Sequence, residues 1–230
     1  MRKIMLSILA IVLITNMTFA QKKETKKMSM KNELDSISYF LGNEIGNYYR
    51  TNDIHLNSDL FMEGMVDALN NSSKLDEETK EKVMAMFQQQ QQKKANQQLN
   101  MTKEAGRKFL EENKKNPDVK TTASGLQYKI VKTTTEGVSP KASDQVNVHY
   151  HGTLIDGTVF DSSVQRGETI TFGLNQVIRG WTEGLQLMKT GEKFIFYIPS
   201  ELGYGDRAAG PQIPGGSTLI FEVELFKVNP

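Results

Sequence analysis

Apolar positions in the first half of the chain recur every three or four residues. Leu34, Ile37, Leu41, Ile45 and Tyr48 share one face of a helix that begins at Glu33, and Phe40 widens that face. Asn57 or Ser58 offers an N-cap for a second, shorter helix carrying Leu60, Phe61, Met65, Val66 and Leu69, which stops near Asn70-Asn71-Ser72-Ser73. Asp76 caps a third, with acidic residues in its first turn and neither Pro nor a strong breaker before Asn113. A helix of that length spans about 57 Å at ~1.5 Å per residue. Its middle, Gln88 to Gln98, is almost without apolar residues. It reads either as a solvated, free-standing helix or as a disordered Gln tract, and helix is favoured because Gln, Lys and Ala are good helix formers. Gly106 is expected to weaken it locally.

Asn116-Pro117 stops the helical half, because the residue before Pro is pushed out of the α region. A polar linker reaches about Thr122, and from Leu126 the period becomes two. Leu126, Tyr128 and Ile130 alternate with polar neighbours, as do Val146, Val148 and Tyr150, then Phe194, Phe196 and Ile198, then Leu219, Phe221, Val223 and Leu225. Asp156-Gly157 marks a hairpin turn. Only Gly180 to Met188 reads as a helix in this half. About five strands and one helix imply an α+β domain, an antiparallel sheet packed on a single short helix and preceded by an all-α region.

Composition adds three limits. Arg2 and Lys3, an apolar run from Ile4 to Ile14 broken only by Ser7, and Thr18-Phe19-Ala20 have the anatomy of a signal peptide cut after Ala20. Eleven residues rise only about 16 Å as a helix against a hydrocarbon core of about 30 Å, so a retained membrane span is disfavoured. There is no Cys, so neither a disulfide nor a lipidated N-terminal Cys is available, and packing alone must hold the cores. A formal charge of +1 offers no argument for nucleic acid or an acidic membrane surface. The expected layout is a leader at 1–20, a disordered polar segment at 21–32, helices at 33–75, a long connecting helix at 76–115, a linker at 116–122 and the α+β domain at 123–230. Two short helices make a poor core by themselves, so their apolar content points to pairing with a second copy; a small bundle within one chain is the alternative.

The candidate chemistry lies in the last third. Val146-Asn147-Val148-His149-Tyr150-His151-Gly152 is followed by Asp156-Gly157-Thr158-Val159-Phe160-Asp161-Ser162-Ser163, then by Gln176-Val177-Ile178-Arg179-Gly180-Trp181-Thr182-Glu183-Gly184-Leu185, Gly203-Tyr204-Gly205 and Leu219-Ile220-Phe221. These motifs resemble the catalytic domain of FKBP-type peptidyl-prolyl cis/trans isomerases. The helical half, with the junctions Glu104 to Lys114 and Thr122 to Tyr128, more loosely resembles the subfamily typified by Mip and FkpA, whose short N-terminal helices intertwine in a dimer. The resemblance implies a proline pocket lined by Tyr150, Phe160, Ile178, Trp181, Tyr204 and Phe221, with Val177 at its edge. Trp181 would form the floor, and the Ile178 N–H and Tyr204 hydroxyl would donate to substrate carbonyls. Asp161 would orient Tyr150 without transferring a proton. Phe196 and Phe226 read as ordinary core. Glu168, where many family members have a pocket Phe, and Ala209, where some have His, are departures expected at the rim. The Gly/Pro-rich stretch Gly205 to Gly216 would form a flap.

The function implied is isomerisation of Xaa-Pro bonds in proline-containing folding polypeptides, without metal or cofactor, by an exported homodimer of the periplasm or outer surface. Macrolides are candidate inhibitors. The competing reading is a holdase chaperone with little turnover, for which the Met-rich helical half offers an adaptable surface. His149 and His151 share a strand face, which reads as a solvated sheet face before it reads as a metal pair. Gly203-Tyr204-Gly205 lacks the Gly-Lys-Ser/Thr of a phosphate loop.

Overall fold

The computed structural model describes residues 29–229. The expected leader at 1–20, and residues 21–28 of the expected polar segment, lie outside the described residues. The chain divides into two units, Met1–Lys74 and Leu75–Pro230.

In the first unit, α1 (Glu33–Thr51) starts where Asn32 accepts a hydrogen bond from the Asp35 N–H, and α2 (Ser58–Leu69) starts where Asn57 accepts from Asp59 and Leu60. Tyr49 and Phe61 meet edge to face with ring centroids 5.4 Å apart. Neither helix contains a buried residue. Leu34, Ile37, Phe40, Leu41 and Tyr48, the whole predicted apolar face of α1 apart from Ile45, are exposed.

The second unit begins with α3 (Glu77–Asn113), capped by Asp76. The Gln tract is helical. Ion pairs such as Glu78–Lys82 and Glu104–Lys108 line its solvated surface, in the i,i+4 arrangement that supports such helices. Gly106 is the one buried residue of α3. A Cβ there would collide with Thr218, so this glycine permits close approach of the helix to the sheet domain. Three residues on, Phe109 packs on Tyr197 at 5.9 Å, and the Gln127 amide donates to the Leu110 carbonyl at 2.9 Å.

The sheet comprises β1 (Val119–Thr121), β2 (Gln127–Lys132), β3 (Gln145–Leu154), β4 (Val159–Ser162), β5 (Ile170–Gly173), β6 (Lys193–Ile198) and β7 (Leu219–Asn229). Its order is β1-β2-β6-β7-β3-β4, antiparallel throughout, with β5 also paired to β3. Two of these strands depart from expectation. The segment expected as a linker, 116–122, contains β1, whose Val119 is buried. β5 is four residues long, too short to stand out by alternation. A one-turn helix, α4 (Ser163–Arg166), follows β4, and α5 (Arg179–Leu185) ends three residues before Met188. α5 lies close on β6 because Gly180 faces Ile198 and Gly184 faces Phe196, with no room for a Cβ at either.

The core is continuous around Val148, Leu174, Leu185, Phe196, Leu219 and Val223. Phe196 belongs to it. Phe226 does not: it is the extra residue of a bulge where Val148 pairs with Leu225 and Asn147 with Lys227, and it stands exposed, edge-on to His149.

Glu192 is the buried polar clamp of the domain. It is 5 % exposed, and its carboxylate accepts from the Thr133 hydroxyl at 2.9 Å and the Lys189 N–H at 2.8 Å. Burial opposes the charge, but these donors and the Thr134 N–H outweigh it and lower its pKa. Glu192→Ala would strand those donors and is expected to cost about 2 kcal/mol. Urea unfolding followed by the fluorescence of the lone Trp181 measures that loss.

Candidate functional site

Four local features bring the aromatics together. β3 alternates, so Val146, Val148, Tyr150 and Gly152 all face the core. β4 pairs Asp161 with Gly152 and Val159 with Thr153, which leaves Phe160 as the bulged residue. A bulge re-aims its side chain, and here the Phe160 ring occupies the space a Cβ on Gly152 would need. The Phe221 ring from β7 shares that space. α5 then supplies Trp181, its third residue, held in place by the glycine contacts to β6 and by the Thr182 hydroxyl donating to the Leu174 carbonyl at 2.6 Å.

The result is a cavity of about 520 Å³ lined by Tyr150, Phe160, Asp161, Ile170, Phe172, Gln176, Val177, Ile178, Trp181, Tyr204, Ile213 and Phe221. Trp181 is buried, with ring centroids 5.0 Å from Phe221, 5.2 Å from Phe172 and 5.3 Å from Tyr150. Phe160 lies 5.3 Å from Phe221. These tilted, edge-to-face contacts fix the rings in a rigid apolar cup. Among the described residues the Trp181 Nε1–H is buried without a partner. Tyr204 is 45 % exposed at the mouth.

Asp161 is the acid of this cavity. Its carboxylate accepts from the Tyr150 hydroxyl and pairs with Arg166, whose guanidinium also donates to Tyr150 at 3.0 Å. Burial opposes the Asp161 charge, but Tyr150 and Arg166 outweigh it and hold the carboxyl below its ordinary value of 3.8. The stability this contributes is complete above the unfolded carboxyl's pKa and is lost as pH falls through the lower folded value. Burial, then the Asp161 hydrogen bond, push the Tyr150 hydroxyl upward, so it stays protonated as a donor. Further support comes from Ser163 of α4, whose hydroxyl accepts from the Tyr150 N–H at 2.7 Å.

All eight residues expected at the site line this one cavity. The lining residues Ile170, Phe172, Gln176 and Ile213, and Arg166 behind Asp161 and Tyr150, were not expected at the site. Ile170 and Phe172 show a brief alternation in Glu168-Thr169-Ile170-Thr171-Phe172 that could have found them. Ile213 is the only large apolar side chain between Gly205 and Gly216. Glu168, expected at the rim, is exposed and is not a lining residue; Ile170 and Phe172 form that wall. Ala209 pairs with Ile213 in a small hairpin within the loop. His149 and His151 bond Ser163 and Ser162 at 3.0 Å each, and no metal-holding cluster exists among the described residues.

The family model for FKBP-type peptidyl-prolyl cis-trans isomerase matches residues 136–226, and that for the domain amino-terminal to it matches residues 34–130. FkpA of Aeromonas hydrophila is 41% identical over 217 residues, covering 90% of this chain and 80% of that protein. The chain belongs to the FKBP-type peptidyl-prolyl cis-trans isomerase family. Outer membrane protein MIP of Legionella longbeachae is 39% identical over 210 residues, covering 89% of this chain and 90% of that one. The crystal structure of FkpA from Escherichia coli superposes with a TM-score of 0.70 at 38% identity, covering 88% of this chain and 99% of that one.

The isomerase thus has its chemistry set by the amide bond. Rotation about Xaa-Pro must overcome a resonance barrier of about 18–20 kcal/mol and takes ~10–100 s unaided. The twisted state has a smaller amide dipole than the planar one, so an apolar cup tolerates it better than water does, and fixed donors can hold the flanking carbonyls. No nucleophile and no proton transfer is required.

Proposed function

We propose that the aromatic cavity is the proline pocket of the isomerase. Tyr150, Phe160, Asp161, Trp181 and Tyr204 are its catalytic groups, and Val177, Ile178 and Phe221 hold the substrate. The observation that carries this reading is the pairing of a rigid aromatic cup with an acid neutralised by Arg166. Such a site presents oriented donors without a free charge that would favour the planar, more polar amide. The Ile178 N–H has no backbone acceptor among the described residues, and the buried Trp181 N–H has no partner, so both are available to a bound chain.

The functional protein is an exported homodimer acting on proline-containing unfolded or folding polypeptides. A matching N-terminal family domain and two helices without a buried residue support dimerisation through 33–75. α3 (Glu77–Asn113) is the connecting helix within the expected 76–115, and the catalytic domain runs from the 116–122 segment to 230. Export rests on the anatomy of residues 1–20 and on relatives that include an outer membrane protein. Macrolides would compete for the same cup. Client holding by the helical unit is a second activity favoured by its open cavity of about 730 Å³, lined by Met30, Tyr39 and Met62 among others.

The test is protease-free isomerisation of a short Xaa-Pro peptide by wild type and Asp161→Ala. Loss of a charged hydrogen-bonding partner is expected to slow turnover about tenfold. A folded variant with undiminished turnover would remove Asp161 from the site, and an inactive folded wild type would leave client holding as the reading.

A further inference from the structure

The stretch from Ser200 to Thr218 is a wall between two cavities. On one side Tyr204 and Ile213 line the aromatic pocket. On the other, Ser200, Glu201, Gly216 and Thr218 line a cleft of about 750 Å³ against α3. The wall is braced internally. The Gly216 N–H donates to the Gly205 carbonyl at 2.8 Å, and the Ala209 N–H donates to the Ile213 carbonyl at 2.9 Å. Gly215 sits against the backbone of Asp206 with no room for a Cβ. Asp206 and Gly216 thus lie at the tied ends of the loop that carries Ile213, which is itself buried in the core.

α3 grips those same points. Lys103 Nζ donates to Asp206 Oδ1 at 2.8 Å. A Cβ on Gly216 would fall 2.6 Å from Lys103 Cγ and 2.9 Å from Leu99 Cδ1. Gly216 makes this approach at φ +78°, a conformation L side chains rarely adopt. One helical turn further on, Gly106 meets Thr218 at the end of the wall.

We infer that α3 sets the position of the pocket wall, with Lys103, acting through Asp206, as a positioning residue for Ile213 and Tyr204. The inference rests on the assignment of the aromatic cavity as the substrate site. It makes α3 more than a spacer, because bending or loosening the helix near Leu99–Gly106 slackens one side of the pocket. A slack wall must be ordered each time substrate binds, so the cost falls on affinity while the twisting step keeps its aromatic cup.

The test compares full-length wild type, Lys103→Glu, Asp206→Lys and the double swap. Each is examined by peptide isomerisation kinetics and by hydrogen exchange over residues 205–216. Lys103→Glu sets two carboxylates against each other. It is expected to raise KM about fivefold with kcat within about twofold, and to speed exchange in the loop. The swap is expected to restore both. Unchanged loop exchange in Lys103→Glu would show that α3 does not hold the wall and would overturn the inference, leaving the pocket assignment to be judged on Asp161→Ala. Faster exchange with unchanged KM would show that the wall does not bear on substrate, and overturns it equally. A swap that restores neither readout would remove the ion pair as the cause.

Discussion

A Trp181→Ala variant is expected to lose about 3–5 kcal/mol of stability in the sheet domain and at least about a hundredfold in isomerase turnover. The indole is buried and packs against Tyr150, Phe172 and Phe221, so its removal empties the centre of the cup. The surrounding rings cannot collapse into the void, because the bulge at Phe160 and the Gly152 contact fix them from the other side. Trp181→Phe separates the two losses. It keeps most of the apolar area and removes the unpartnered Nε1–H. Turnover close to wild type in Trp181→Phe would mean that the indole N–H does not touch the substrate. Turnover close to wild type in a folded Trp181→Ala would sink the pocket assignment. Chemical denaturation and protease-free peptide isomerisation measure the two quantities.

If the proposed dimer forms through α1 and α2, Ile37→Glu combined with Leu41→Glu is expected to convert it to a monomer and to unfold both helices. Both side chains are exposed within a unit whose helices bury nothing, which is the face the proposed dimer would cover with a second copy. Each contact counts twice across a two-fold axis, so losing these two positions costs on the order of 10 kcal/mol. Light scattering should show the mass falling from twice the chain mass to one chain. Short-peptide turnover should stay within about twofold, because the pocket lies in the other unit. A dimer that survives the double substitution would place the interface elsewhere. The same variant locates client holding: suppression of client aggregation that vanishes while peptide turnover persists assigns it to α1 and α2, and suppression that persists assigns it outside them.

The helices were legible because each carries its own signals. Asn57 and Asp76 cap α2 and α3, and the three-four spacing of apolar residues in α1 survives in the structure although nothing in the described chain covers it. The short strands were not legible. β1 and β5 are three and four residues long, and their existence depends on the strands they pair with. Gly106 was legible only in part for a similar reason: its local effect, to weaken a helix, can be read from the sequence, whereas its tertiary effect is to let that helix touch Thr218. Phe226 has the composition of core and the position of surface, because a bulge opposite Asn147 and Val148 turns it outward.

The alternation of the second half was enough to imply the α+β class, and the motifs around Tyr150, Phe160, Trp181, Tyr204 and Phe221 carried the resemblance to the family that the comparisons then showed. These residues recur beside turns and glycines at fixed spacing, and that spacing is a property of the chain. The sequence alone also established the apolar face of α1 and the absence of disulfides. Tertiary structure alone decided what stands opposite what. It seated Arg166 against Asp161 and Tyr150, aimed Phe160 into the cavity through a one-residue bulge, and brought Ile213 and Ile170 to the pocket. It also put Lys103 of α3 on Asp206, 103 residues away in sequence. The physical reason is common to all of these. Periodicity and capping are local, whereas a bulge, an ion pair or a shared wall exists only where distant segments meet.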